Sequence, residues 1–201
     1  MINLIFIFLL AYILGSLPFG FWITKLVRGI DIRKFGSGNI GATNVARVVG
    51  KNWGILVFLL DFLKGFLAVI ISLLLLPESS FWVYLIVGIL AVSGHNWSLF
   101  LKFRGGKGVS TTLGVISGLV TKYNLLFFPL IISIIGWILI FLIFRIVSLA
   151  SLLSAFLFFL SALFFKLPSE IKIFSFLLFL FIVLRHKSNI IKLLKKKEFR
   201  F

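Results

Sequence analysis

Runs of Leu, Ile, Val and Phe alternate with short polar stretches along the whole chain. The apolar runs fall at residues 3–23, 52–76, 81–101, 109–121, 124–143, 147–165 and 171–184. An α-helix needs about 20 apolar residues to cross roughly 30 Å of hydrocarbon, and most of these runs meet or approach that length. The pattern predicts an all-α integral membrane protein with about seven transmembrane helices in one polytopic domain over residues 1–201. The fourth and seventh runs are short enough to be tilted, partly interfacial or re-entrant. Leu4 to Trp22 resembles a signal peptide only superficially, because it lacks a charged n-region and an A-x-A-like site and leads straight into polar sequence. It is read as a retained span.

Composition sharpens this picture. With 61% hydrophobic residues and 26 Phe among 201 residues, the chain lies far from the usage of a soluble domain, and its mean hydropathy is +1.22. It has no cysteine, which excludes disulfides, thiolate catalysis and thiolate metal sites. Charge then chooses the sides of the membrane. Seven spans with the N-terminus outside and the C-terminus cytoplasmic place 17 of the 21 Lys and Arg residues on the cytoplasmic side. Lys64 lies within a span, and only Lys122, Lys166 and Lys172 are left for the outer side. The net charge of +16 therefore describes one face, suited to anionic headgroups and anionic metabolites. A nucleic-acid partner fits poorly: no soluble domain carries a reading surface, and the tail "IKLLKKKEFRF" mixes bases with apolar residues as a membrane-lying segment does.

Three polar islands on that face differ from the rest, and helix packing is expected to bring them together. In the first, Gly36, Gly38 and Gly41 match G-x-G-x-x-G, but no strand precedes them and no βαβ unit surrounds them, so a dinucleotide fold is rejected. Glycines can still let successive backbone N–H groups converge on an anion. Ser37, Asn39, Thr43 and Asn44 add neutral donors, and Arg47 adds a fork suited to phosphate oxygens. The competing reading is a flexible interfacial loop with solvated bases. In the second island, Gly105, Gly106 and Gly108 surround Lys107 ahead of a helix beginning near Val109. The P-loop consensus fails there, because Gly108 follows the lysine, yet a helix N-terminus beside a base is a seat for a phosphoryl group. A membrane-anchoring lysine with packing glycines is the alternative.

Other polar residues fall at informative depths. His95 ends the third span, where capping or packing competes with chemistry. Two histidines and five acidic residues give no metal motif, so no metal is expected. Asp61 and Lys64, three apart in mid-span, each cost about 2.5 to 3.5 kcal/mol alone and are expected to pair inside the bundle. In the third island His186 and Asn189 share a helix face if the segment is helical; His186 can donate to phosphate or accept a hydroxyl proton. Glu198 is the tail's only acid, and its plainest role is an ion pair in a basic amphipathic helix.

Residues Gly15 to Arg47, Gly94 to Gly114 and Arg185 to Glu198 resemble, in order, the three signature motifs of the bacterial acyl-phosphate:glycerol-3-phosphate acyltransferases of the PlsY type, and "LLDFLKG" is similar to that family's second helix. The resemblance implies a multi-pass enzyme of the bacterial inner membrane, its site facing the cytoplasm, acting in phospholipid synthesis. Its reaction moves a fatty acyl group from acyl phosphate to the 1-hydroxyl of glycerol 3-phosphate, giving lysophosphatidate and inorganic phosphate. Acyl phosphate is the donor substrate, and no cofactor is implied. Carried over residue by residue, the resemblance makes Ser37 and Arg47 phosphate-site residues, Gly105, Gly106, Lys107 and Gly108 the loop that holds acyl phosphate, His186 and Asn189 polar contacts to substrate, and Ser148 a serine near the phosphate pocket. Joined with the reading of the residues themselves, Ser37, Arg47, Lys107, His186 and Asn189 form the expected catalytic set, while Gly36, Gly38, Asn39, Asn44, Gly105, Gly106, Gly108 and Ser148 are expected to bind substrate. Asp61, Lys64, His95 and Glu198 are supporting residues. Ser98 stands where the family usually has proline, Arg104 where it has lysine, and Lys187, Lys192 and Lys196 where it has Arg, Arg and Gly.

An acyl phosphate is already activated, so proximity and charge stabilisation can suffice for direct transfer without an acyl-enzyme. The proton goes either to His186 or to the substrate's own phosphate. The rival class, a transporter of an organic or phosphorylated anion, predicts a path to the outer face and inverted repeats; the polar chemistry lies on one side and no repeat is seen. A non-catalytic lipid-binding scaffold is a third reading.

Overall fold

The computed structural model describes residues 3–165 and 167–201; Lys166, one of the outer-side lysines, lies outside them. Ten α-helices follow in order among the described residues: α1 Leu4–Ser16, α2 Phe19–Arg28, α3 Ala42–Val48, α4 Lys51–Leu75, α5 Phe81–Asn96, α6 Val109–Val120, α7 Phe127–Phe144, α8 Val147–Phe164, α9 Ser169–Arg185 and α10 Lys187–Leu194. Each of the seven apolar runs is helical. Among the described residues, five helical stretches are long and apolar enough to cross a membrane: Leu4–Arg28, Lys51–Leu75, Phe81–Leu101, Asn124–Phe144 and Val147–Phe164. The apolar α6 has 12 residues and α9 has 17. Large apolar side chains cover the outside, among them Leu26, Ile143 and Phe164. In water this would be a liability; in lipid it is the solvated state.

Packing groups the helices into two compact units, one ending at Leu119 and one running Val120–Phe201. In the first, α1 packs on α5, α4 packs on α1, α2, α3 and α5, and glycines make the closest approaches. A Cβ on Gly15 would lie 2.0 Å from the Ala91 carbonyl oxygen and one on Gly94 2.2 Å from that of Tyr12, so the α1 and α5 backbones touch. Between membrane helices, where lipid removes the hydrophobic drive to associate, small residues allow dispersion contacts at this range. The second unit packs α7 on α8, α8 on α9, and α10 on α9. Buried Ser151, Ser154, Ser161 and Ser175 line it. The last three each donate to a carbonyl of the preceding turn of their own helix, while the Ser151 hydroxyl accepts Trp137 Nε1–H at 3.2 Å, so no hydroxyl of the four stays orphaned.

The first apolar run is not one continuous helix. Pro18 has no N–H to donate, α1 stops at Ser16, and the chain restarts as α2. Phe21 and Trp22 both direct their N–H groups to the Pro18 carbonyl, at 3.0 and 3.1 Å. The Leu17 carbonyl is thereby left open inside the span.

Candidate active site

The first island is folded rather than flexible. Asp31 caps a 3₁₀ turn, Ile32–Lys34, and α3 occupies the second half of the island. Beneath them Ile32, Ile40, Val45 and Val49 pack with Val57 of α4 and with Leu101; each fully buried aliphatic side chain contributes about 1.5–3 kcal/mol. Asn44 joins the two halves. Its Oδ1 accepts the Ser37 N–H at 2.8 Å, and its Nδ2 donates to the Phe35 and Asn39 carbonyls at 3.0 and 2.8 Å.

This geometry corrects the expectation of a row of glycine-loop N–H groups aimed at an anion. Gly36 and Gly38 are left-handed, with φ of +58 and +74, but the N–H groups that follow turn inward. That of Ser37 goes to Asn44, that of Gly38 to the Phe35 carbonyl at 3.0 Å, and that of Asn39 to Ser37 Oγ at 3.5 Å. Asn44 likewise faces its own loop. Two bases are also engaged locally. Arg33 meets Asp31 through several hydrogen bonds, the shortest 2.6 Å, and stacks on Phe21 at 5.0 Å. Hydrogen bonding from Arg33 holds the Asp31 carboxyl down to about 2, against an ordinary 3.8. Arg28 donates to the Val49 carbonyl at 3.3 Å. Arg47, in the last turn of α3, and Ser37 are both half-buried.

In the second island glycines serve close approach. The Gly106 N–H donates to the His95 carbonyl at 2.9 Å and the Gly105 N–H to the Asn96 carbonyl at 3.2 Å. A Cβ on Gly106 would lie 2.1 Å from His95 Nε2, so the loop lies directly on the imidazole. Gly108, at φ +80, turns the chain into α6, and Lys107 between them is half-buried. Asn96, unremarked in the sequence, is fully buried against Gly108, and neither end of its amide has a hydrogen-bond partner. Its signal was a polar residue beside His95 at the end of an apolar helix. Ser98, in the proline position, uses its hydroxyl to donate to the Ser16 carbonyl at 2.5 Å.

Asp61 and Lys64 pair as expected, at 2.8 Å and almost fully buried. Lys64 also donates to the open Leu17 carbonyl at 2.7 Å, and Asp61 Oδ1 lies 3.5 Å from His95 Nδ1. The first unit thus joins Asp61, Lys64, His95, Gly105 and Gly106 in one network and Gly36 to Arg47 in one folded loop.

Within the second unit, His186 is buried between α9 and α10, and its Nδ1 lies 2.8 Å from the Ile182 carbonyl. A carbonyl only accepts, so Nδ1 carries the proton and the neutral ring's basic nitrogen is Nε2. Asn189 Nδ2 donates to Glu198 Oε1 at 2.9 Å, which gives the tail's acid a neutral partner instead of an ion pair. Ser148 is buried in the first turn of α8, its hydroxyl without a hydrogen-bond partner. Lys196 has φ +55. The Lys197 N–H reaches the Lys192 carbonyl at 2.8 Å and the Lys196 N–H that of Leu193 at 3.0 Å, the Schellman arrangement in which glycine is usual.

These features define a multi-pass helical membrane protein whose polar residues are gathered in ordered, glycine-rich loops. The family model for glycerol-3-phosphate acyltransferase matches residues 5–196. Similar relatives include the glycerol-3-phosphate acyltransferases of Aquifex aeolicus (strain VF5), 42% identical with 98% of each chain covered, and of Myxococcus xanthus (strain DK1622), 40% identical with 96% of this chain and 97% of that one covered. Among solved structures, the crystal structure of PlsY in its glycerol 3-phosphate form, described as an integral membrane glycerol 3-phosphate acyltransferase, matches with a TM-score of 0.89 at 40% identity over 98% of this chain and 95% of that one. Its lysophosphatidic acid form matches with a TM-score of 0.85. The chain belongs to the glycerol-3-phosphate acyltransferase family of PlsY type and is an acyltransferase of phospholipid biosynthesis.

Proposed function

We propose that this enzyme transfers a fatty acyl group from acyl phosphate to the 1-hydroxyl of glycerol 3-phosphate, directly and without an acyl-enzyme. The oxygen of that hydroxyl attacks the acyl carbonyl, the carbon–oxygen bond to phosphate breaks, and the hydroxyl proton leaves to His186 Nε2 or to a phosphate oxygen. The products are lysophosphatidate and inorganic phosphate. The observation that carries this reading is the pair of solved structures of PlsY, one described as its glycerol 3-phosphate form and one as its lysophosphatidic acid form. These are the acceptor and the product of one acyl transfer. A phosphorylated donor fits the glycine loop, which sets Lys107 at the start of α6, where helix N–H groups and an ammonium favour a phosphoryl group. Arg47 and Ser37 are assigned to a phosphate, His186 and Asn189 to substrate contacts.

Direct transfer is supported by the lack of cysteine and by the setting of Ser37, whose hydroxyl turns back to the Asn39 N–H. α6 and α9 complete seven crossings with the N-terminus outside, and 17 of 21 bases then lie with the site on the cytoplasmic face of a bacterial inner membrane. No cofactor takes part. The test is phosphate release by purified protein in detergent. Release requires both acyl phosphate and glycerol 3-phosphate, and Arg47→Ala abolishes it while leaving membrane insertion intact. Normal transfer by that variant would refute the role of Arg47, and no transfer by the wild type would refute the function.

A further inference from the structure

The second island rests on a buried polar chain that phosphate binding alone does not call for. Lys64 Nζ bridges the Leu17 carbonyl at 2.7 Å and Asp61 Oδ1 at 2.8 Å. Asp61 Oδ1 faces His95 Nδ1 at 3.5 Å. The other edge of the same imidazole carries Gly106, and Nε2, Cε1 and Cδ2 lie 2.1, 2.9 and 3.0 Å from where its Cβ would be. One end of the chain is therefore the helix break at Leu17–Pro18, from which α2 leads to the first island, and the other is the glycine loop of the second. Two further bonds close the frame: Tyr12 Oη to the Trp97 carbonyl at 2.6 Å and Ser98 Oγ to the Ser16 carbonyl at 2.5 Å.

Stability alone does not explain these residues. A buried ion pair is commonly matched or bettered by apolar groups of the same volume, and this chain is otherwise rich in such groups. What apolar residues cannot supply is direction. The ammonium is held by a hydrogen bond to the Leu17 carbonyl and an ion pair with Asp61, and the imidazole is set between a carboxylate and a backbone that has no room to move toward it.

We propose that the Lys64–Asp61–His95 chain is a positioning device that fixes the glycine loop 105–108 relative to the Leu17–Pro18 break, and that His95 is the residue through which it acts on Gly106 and so on Lys107. The kinetic part of this inference rests on the acyl-transfer reading. The placement of the loop does not.

Two substitutions separate the two edges of the ring. His95→Asn puts an amide near the Nδ1 position and leaves Gly106 unsupported; His95→Gln reaches the Nε2 position and fills that space. A double variant, Asp61→Leu with Lys64→Met, removes both charges together and avoids orphaning one of them. Two readouts apply to each detergent-purified protein. One is KM and kcat for acyl phosphate; the other is the rate at which a water-soluble amine-acetylating reagent modifies Lys107, read by mass spectrometry on its peptide with no substrate present. His95→Asn is expected to raise KM about tenfold, the equivalent of roughly 1.4 kcal/mol, with kcat much less affected, and to speed Lys107 acetylation. His95→Gln recovers most of both. The double variant keeps its melting temperature yet shows the same raised KM and faster acetylation. Wild-type KM and wild-type labelling in His95→Asn and in the double variant would overturn the proposal, as would a fall in melting temperature with neither readout changed. Should His95→Asn fail to fold, the double variant decides alone. If the wild type transfers no acyl group, the functional reading falls while Lys107 labelling still tests the positioning of the loop.

Discussion

The two glycine-rich loops of the first unit look alike in composition and are built on opposite principles. The first, Gly36 to Asn44, is closed on itself: Gly36 and Gly38 supply left-handed turns, and Asn44 takes up its donors and acceptors. The second, Gly105 to Gly108, leans on something else. Its glycines allow backbone to lie on an imidazole and on Asn96, and its first two N–H groups bond to the end of α5. One loop is held by an internal brace and the other by an external seat. They should therefore fail differently.

The largest effect belongs to the seat. Gly106→Ala places a Cβ 2.1 Å from His95 Nε2, so the loop must lift; a displacement of about 1 Å costs on the order of 100-fold in turnover, read as phosphate release. The next belongs to the brace. Asn44→Ala orphans the Ser37 N–H and the Asn39 carbonyl and takes one of its two donors from the Phe35 carbonyl, at a cost of about 2 kcal/mol or more. It is measured as a lower melting temperature and faster amide exchange at Ser37. Equal losses of activity with no loss of stability in both variants would erase the distinction.

A third loop sharpens it. In the tail, Lys196 occupies a left-handed position with φ +55 that a lysine takes at a cost of about 1–2 kcal/mol. Lys196→Gly is expected to raise stability by up to about 1 kcal/mol, since glycine's larger unfolded-state entropy offsets part of the relief. Thermal unfolding in detergent checks it. The smallest effect concerns Asp31. Its folded pKa lies below the ordinary 3.8, so its contribution is present above that value and is lost as pH falls toward about 2. The pair is partly exposed, which limits Asp31→Asn to under about 1 kcal/mol at neutral pH. The gap between wild type and variant should close between about pH 4 and pH 2 in acid-unfolding curves.

Much of this was legible from hydropathy, because a membrane helix announces itself by length and apolarity: Lys51–Leu75 and Val147–Phe164 lie within a residue or so of their predicted bounds. The Asp61–Lys64 pair was legible for the same reason, since neither charge is tolerable alone at that depth. The break at Pro18 is marked by the proline itself, but hydropathy does not show it because the run stays apolar on both sides. α3 was hidden by weak helix formers; Ala46 packed against Gly54 and the Asn44 brace hold it, and both are tertiary. The glycine patterns misled most. A glycine marks a left-handed turn, a close contact or, as at Gly36 and Gly108, both, and only the neighbours, Asn44 in one loop and His95 and Asn96 in the other, tell which. Lys196 shows the converse, a glycine conformation kept without the glycine.

Whether the acyl group passes straight to the acceptor is decided most directly by leaving the acceptor out. Enzyme mixed with labelled acyl phosphate and no glycerol 3-phosphate, then quenched within one turnover, should release no burst of phosphate and carry no label on the protein. A burst equal to the enzyme concentration, with label on a serine peptide, would contradict direct transfer.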